Sequence, residues 1–267
     1  MFVSGHFVSH RSVVFSSKAV LFVMIMFCLS LVSCAKKEAL RRAEPEPFKG
    51  MVTVDVLKHS VGFGDVRSIK ALAEVTIFKK GQREGSLNGV FGYKAPGRIR
   101  LNLFGPFGLT VTEILISGEL FQLSVPAKNT LYEWNSPEVT FTGLMNNRFN
   151  YRMAEEGDVY VLLASKTDDQ ISDIDVKYFF DRTYLLNRMI SFCKDGTEMI
   201  KAEFYDYNGR VPERAKLSFS NEMSIDIVLQ EPEFDSEIPD EYFSPIEQGD
   251  KEIRPFQEIF RRFAPNR

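Results

Sequence analysis

For most of its length the chain alternates apolar and polar residues one for one. Ala71, Ala73, Val75 and Ile77 interleave with Glu74 and Thr76, the period of two that sends successive side chains to opposite faces of a strand. KKGQREG (residues 79–85) reads as a turn, SLNGVFGYK (86–94) as the returning strand and APG (95–97) as the next turn. In RIRLNLF (98–104), Ile99, Leu101 and Leu103 share one face, opposite Arg98, Arg100 and Asn102. GPFG (105–108) separates this segment from LTVTEILIS (109–117), where Val111 and Glu113 share a face. ELFQLSVP (119–126) sets Phe121, Leu123 and Val125 on one side, and AKN turns the chain into TLYEWN (130–135). Residues 136–157 read as irregular. The pattern resumes in DVYVLLAS, ISDIDVKYFFD, YLLNRMISFC, TEMIKAEFYDYN, VPERAKLSFS and EMSIDIVLQ, which run from residue 158 to 230. That makes about twelve strands, and turns as short as these join antiparallel neighbours.

Helical periodicity occurs in two short places. Phe48, Met51, Val52 and Val56 fall at spacings of 3, 4 and 8, which predicts an amphipathic helix up to about Ser60. Behind Pro255, Phe256, Ile259, Phe260 and Phe263 fall at 0, 3, 4 and 7 with Arg261 and Arg262 among them. This tail, residues 246–267, either rests on anionic lipid or plugs one end of the fold. No segment is long enough to serve as the crossover helix of a parallel sheet. Most strands are apolar on one face only, which predicts one large curved antiparallel sheet. An immunoglobulin-like sandwich would show the same alternation, but several strands here are long and follow in meander order. A sheet of this size curls into a barrel or near-barrel, whose interior is either an apolar cavity for a lipid or packed solid by its own side chains.

The N-terminal region changes the picture. Residues 1–18 carry Arg11 and Lys18 and no acid, and Ala19 to Val32 is an uncharged run of fourteen residues. A membrane-spanning helix needs about 20 apolar residues; this shorter run suits the core of a secretory signal. Of the two nearby cysteines, Cys28 follows bulky Phe27, whereas Cys34 follows Ser33 and precedes polar AKKE. LVSC resembles the bacterial lipobox. That resemblance implies a signal peptide over 1–33 and cleavage before Cys34, with a diacylglyceryl group on its thiol and an acyl (palmitate-type) group on its new amino terminus. Ala35 behind the cysteine, in place of aspartate, resembles an outer-membrane address. One acyl chain binds membranes only marginally, so several are needed for stable attachment. AKKEALRRAEPEP (35–47) then reads as a flexible tether within 34–47.

Composition narrows the chemistry. The net charge is −3, and the first 33 residues contribute two cations, so the remainder stands at −5. An acidic chain without a concentrated basic face is not expected to bind nucleic acid. Past residue 34 the only remaining cysteine is Cys193 and the only histidine is His59. That leaves too few ligands for a His/Cys zinc site, and a Ser-His-Asp arrangement would have to use His59. TDDQISDID (167–175) holds four aspartates but no calcium-loop pattern, and neither a dinucleotide fingerprint, a P-loop nor GxSxG occurs. The chain is expected to be no enzyme and to use no cofactor or metal.

YKAPGRIRLNLFGPFGLTVTEILISGELFQLSVPAKNTLYEW (Tyr93 to Trp134) resembles the core of the LolA/LolB lipoprotein-localisation families. The shared features are a strand before a proline turn, an R-φ-R-L-x-L strand, a proline-φ-glycine loop, an apolar strand, and a further strand before a second proline turn. VPERAKLSF and EIPDEYFSP resemble their C-terminal endings. The likeness is closer to LolB, the outer-membrane receptor, because the chain is itself read as a lipoprotein. It departs from LolB over residues 136–157 and in the tail. The resemblance implies an unclosed antiparallel β-barrel of about eleven to twelve strands over residues 48–245, with a few short helices across its opening. It implies a monomer, anchored in the outer membrane and facing the periplasm, that binds lipoprotein acyl chains or other lipid and receives cargo from a periplasmic LolA-like carrier. Ile99, Leu101, Leu103, Phe121, Leu123 and Val125 are then the candidate cavity lining. Phe107, between Pro106 and Gly108, is the candidate membrane-contacting residue, unless its ring folds back on the core. Arg98 and Arg100 are expected to form ion pairs outside the barrel, and Trp134 to pack in the core or report on ligand. The other function class open to this scaffold is an envelope lipoprotein that binds a protein partner in assembly or signalling.

Overall fold

In the computed structural model, the described residues are 48–61, 63, 65–135, 149–166, 174–183, 185–193, 198–256 and 258–259. The signal peptide, Cys34, the tether, most of the acidic run 167–175 and the tail beyond Ile259 lie outside them. Residues 42–267 form a compact unit of their own, containing every strand described below, so this stretch is a self-sufficient folding unit.

The first six strands are β1 (Ser68–Lys79), β2 (Gln82–Lys94), β3 (Arg98–Phe104), β4 (Thr110–Ser117), β5 (Leu120–Val125) and β6 (Thr130–Asn135). The next four are β7 (Phe149–Glu156), β8 (Val159–Lys166), β9 (Ile174–Phe180) and β10 (Leu186–Cys193). The last four are β11 (Glu198–Asn208), β12 (Val211–Phe219), β13 (Met223–Phe234) and β14 (Glu252–Pro255). All fourteen belong to one sheet, ordered β14-β6-β5-β4-β3-β2-β1-β13-β12-β11-β10-β9-β8-β7. A sandwich would divide them between two sheets. Two meanders, β1 to β6 and β7 to β13, are joined where β1 pairs with β13, with Ile77 opposite Ile225. Every pairing is antiparallel except β14 with β6. The sheet is unclosed: β7 forms one edge and β14 the other.

Two strands go beyond the twelve read from sequence. β7 lies inside the stretch taken as irregular, and the alternation of Phe149, Tyr151 and Met153 was its signal. As an edge strand it is mostly exposed, so polar residues dilute its pattern. The tail supplies the other, β14, just ahead of the segment from Phe256 where a short amphipathic helix is expected; of that segment Glu258 and Ile259 are helical and the residues beyond Ile259 lie outside the described ones. Only four residues pair in β14, too few for any periodicity to show.

The register puts one continuous set of apolar side chains on the inner face. Ile69, Ala71, Ala73, Val75, Phe91, Tyr93, Leu101, Leu103 and Leu229 form one buried cluster with Phe63. Leu162, Tyr178, Phe180, Met189, Ala202 and Phe204 form a second, against the helix α1 (Val54–Ser60). With seven residues, α1 is shorter than the ~12–15 at which isolated helices become marginally stable. Thr53 caps its first turn by accepting from the Val56 amide at 3.3 Å, and Leu57 is completely buried. Tertiary burial therefore holds it. Phe63 meets Tyr93 edge-on with ring centroids 4.5 Å apart, so Phe63 covers the inner face of β1–β3 at the end opposite the Phe107 loop while α1 covers the inner face of β8–β11.

On the outer face the segment after β13 is strapped over β2–β6. Ile238, Phe243 and Ile246 bury against Leu115 and Leu131. Gln122, itself buried, accepts from the Ile246 amide at 2.7 Å and donates to Glu133 at 2.6 Å. Arg100 pairs with Glu113 and donates to the Tyr242 carbonyl at 2.6 Å. Gly92 has no side chain because Tyr242 lies over it: a Cβ there would come within 2.5 Å of the ring.

Leu57→Ala should lower the stability of residues 42–267 by about 2–5 kcal/mol, seen as a fall in the urea midpoint. An unchanged midpoint would mean that α1 does not plug the sheet. Arg100→Met should cost about 2–4 kcal/mol, because it strands the Glu113 carboxylate beneath the strap. The double variant Arg100→Met/Glu113→Leu should recover most of that loss.

Candidate functional site

Short turns set up the site by fixing register, and register decides which side chains look inward. Ile99 lies opposite Ile116, and Leu101 opposite Ile114. Ile116 in turn faces Phe121, and Ile114 faces Leu123. Phe121 is paired with Trp134 and Leu123 with Tyr132. All six residues read as cavity lining therefore lie on one inner face. They are not equivalent: Leu101 and Leu103 are buried in the first cluster and Ile99 packs against its margin, whereas Phe121, Leu123 and Val125 remain half-buried. Ile114 and Ile116, not singled out from sequence, continue this half-buried wall. Their alternation out of phase with Glu113 was the available signal.

Half-buried side chains also ring the end of the sheet that carries the Phe107 loop: Ile77, Leu87, Ile225 and Leu217. Among the described residues the inner face is thus fully buried beside α1 and Phe63 and only half-covered toward the loop end and at Ile114, Ile116, Phe121, Leu123 and Val125, while Thr130 and Tyr132 of β6 are buried. The phenols at its packed part stay neutral, since burial pushes Tyr93, Tyr178 and Tyr207 above the usual tyrosine range. An uncharged, half-covered surface of aliphatic and aromatic groups suits an apolar ligand, at about 25 cal/mol per Å² of area removed from water.

Phe107 does not fold back. Its side chain is 100% exposed. The loop is closed by two backbone hydrogen bonds, Gly105 N–H to Leu109 C=O at 2.9 Å and Gly108 N–H to Gly105 C=O at 3.3 Å. Within it Phe107 takes a left-handed backbone, φ 62°, a conformation costly for a bulky residue. Leu109, which sequence reasoning missed, is 69% exposed at the same tip. The loop spends backbone strain to hold an aromatic ring in solvent next to the open end.

The remaining expected residues fall as follows. Arg98 and Arg100 point to the outer face, Arg98 to Asp240 at 3.0 Å and Arg100 to Glu113. Hydrogen bonds from Lys94 and then from Arg98 hold the Asp240 carboxyl below the usual range. His59 is a surface residue, 2.9 Å from Asp65. Its hydrogen bond is the main reason that the Asp65 carboxyl titrates low. Trp134 is half-buried on the inner face, and Phe256 from the tail stacks on it with centroids 5.9 Å apart. Among the described residues no cluster of His, Cys, Asp and Glu could hold a metal ion, and no helix is long and apolar enough to cross a membrane.

No protein-family model matches the sequence, and no curated protein matches it. Solved structures do. A domain described as an outer membrane lipoprotein-sorting protein from Vibrio parahaemolyticus superposes with a TM-score of 0.55 at 12% identity, over 72% of this chain and 95% of its own. A DUF1329-family protein from Desulfovibrio piger gives 0.57 at 13%, over 72% and 95%. A LolA-superfamily protein from Nitrosomonas europaea gives 0.54 at 12%, over 73% and 99%. These likenesses do not single out the LolB branch. At such identity they speak for the fold, which is the unclosed, mostly β barrel of LolA-like proteins.

Proposed function

We propose that this chain is a non-catalytic, lipid-anchored protein of the outer membrane that holds acyl chains on the inner face of its unclosed barrel, receiving or inserting lipoproteins as a LolB-like receptor does. The observation that carries this reading is the pairing of two features at one end of the sheet. An uncharged, half-buried apolar wall opens there, and beside it a strained loop holds Phe107 fully in solvent. In this reading Cys34 carries the anchor and Phe107 touches the bilayer while cargo leaves the wall. A periplasmic LolA-like carrier is the donor. The work is done by burial of methylenes, with no bond made or broken on the protein.

Residues 42–267, purified without detergent, should bind a fluorescent fatty acid saturably, one per molecule, and any co-purified lipid should be displaced by it. Leu123→Glu puts a carboxylate on the wall and should weaken this binding at least about tenfold, with little change in thermal unfolding. Absence of saturable binding to the parent protein would count against the reading and favour a protein partner. Phe107→Glu, in the full chain, should leave probe binding intact and abolish delivery of a lipoprotein to vesicles. Delivery at the parent rate would remove Phe107 from the mechanism.

A further inference from the structure

The C-terminal segment closes off the inner face where β5 and β6 end. β14 runs alongside β6, and immediately after it the Phe256 amide donates to the Glu133 carbonyl at 3.0 Å. The Phe256 ring comes down on two cross-strand partners of the inner face. Its centroid is 4.3 Å from that of Phe121 and 5.9 Å from that of Trp134, and its plane is 12° from the indole. Both partners lie at the end of the sheet away from the Phe107 loop. From Phe121, the half-buried wall runs along β5 through Leu123 to Val125 at the loop end. The four residue steps from Phe121 to Val125 along extended strand span roughly 13 Å. Among the described residues the half-buried wall is therefore stopped by a three-ring aromatic stack at one end and meets no such stack at the loop end.

Resting on the acyl-chain reading, we propose that Phe256 determines chain-length specificity: its ring is the stop against which the methyl end of a bound acyl chain abuts. A chain entering at the loop end gains about fourfold in affinity for each methylene that finds apolar surface. Once the methyl end reaches the Phe121–Phe256–Trp134 stack, further methylenes find none and the gain ends. Removing the ring uncovers more wall and moves that limit outward; enlarging it moves the limit inward. An aromatic that merely propped the edge of the sheet would change stability or overall affinity without moving the limit.

The test is competitive displacement of a fluorescent fatty acid from residues 42–267 by saturated fatty acids of about 8 to 20 carbons, for the parent protein, Phe256→Ala and Phe256→Trp. Affinity should rise with length and then level off, at least about two carbons later in Phe256→Ala than in the parent, and earlier in Phe256→Trp. Parent and variants levelling at the same length would overturn the proposal, as would loss of binding in Phe256→Ala with an unmoved limit in Phe256→Trp. If no fatty acid displaces the probe even from the parent, the acyl-chain reading itself falls, and the proposal with it.

Discussion

A single sheet of fourteen strands has no second sheet to pack against, and the apolar face that its alternation creates must still be removed from water. Everything else in this molecule follows from how that face is covered. Curling brings the two meanders toward each other and buries Ala71, Ala73 and Val75 against Leu229 on one side, and Leu162 and Phe180 against Phe204 on the other. Curling alone does not finish the task. A seven-residue helix with one fully buried leucine covers the inner face of β8–β11, and a phenylalanine from the following loop covers that of β1–β3. Among the described residues, Phe256 alone comes down on the inner face of β5 and β6, and Ile114, Ile116, Phe121, Leu123 and Val125 stay half-covered. The candidate binding surface is the part of the inner face that the fold leaves uncovered.

The outer face is stabilised by different means. Strands β3–β5 present Arg100, Glu113 and Gln122 outward beneath the strap, an unusual set to cover. The strap after β13 makes that tolerable by bringing backbone groups to them: carbonyls of Tyr242 and Ser244 for Arg100, and the amide of Ile246 for Gln122. Polar pairing of this kind fixes where the strap lies, because a buried donor or acceptor without its partner costs more than the bond itself contributes. The same strap delivers the chain to β6, where β14 pairs and Phe256 reaches over onto the inner face. A covering of the outside thus ends by shaping the inside.

The loop at Phe107 runs against the general tendency. Elsewhere large apolar side chains are drawn under cover, yet here a phenylalanine sits in a left-handed backbone with its ring wholly in water. Strain and exposure fall together at this one residue, and in the proposed reading they present its ring as a contact surface beside the half-covered wall. Leu109 at the same tip enlarges that surface.

Much of this was legible in the residues. Period-two alternation and short turns identify twelve of the strands, their antiparallel pairing and the division of each strand into an inward and an outward face, because backbone geometry alone links alternate positions. The trios Ile99–Leu101–Leu103 and Phe121–Leu123–Val125 share a face for that reason, and Arg98 and Arg100 oppose it. What pattern cannot convey is which part of a face is filled. Leu101 and Leu123 look alike in sequence, and only the folded cluster that Phe63 joins makes one buried and the other half-covered. β7 and β14 escaped notice because edge strands pair on one side and need no apolar partner on the other. Whether Phe107 turns in or out depended on a backbone torsion that two glycines permit but do not dictate. The sequence by itself determined the strands and their faces, since these depend on neighbours along the chain. The tertiary structure alone decided which apolar surface stays open and where it stops, since that depends on segments such as 54–63 and 252–256 that meet the wall only after folding.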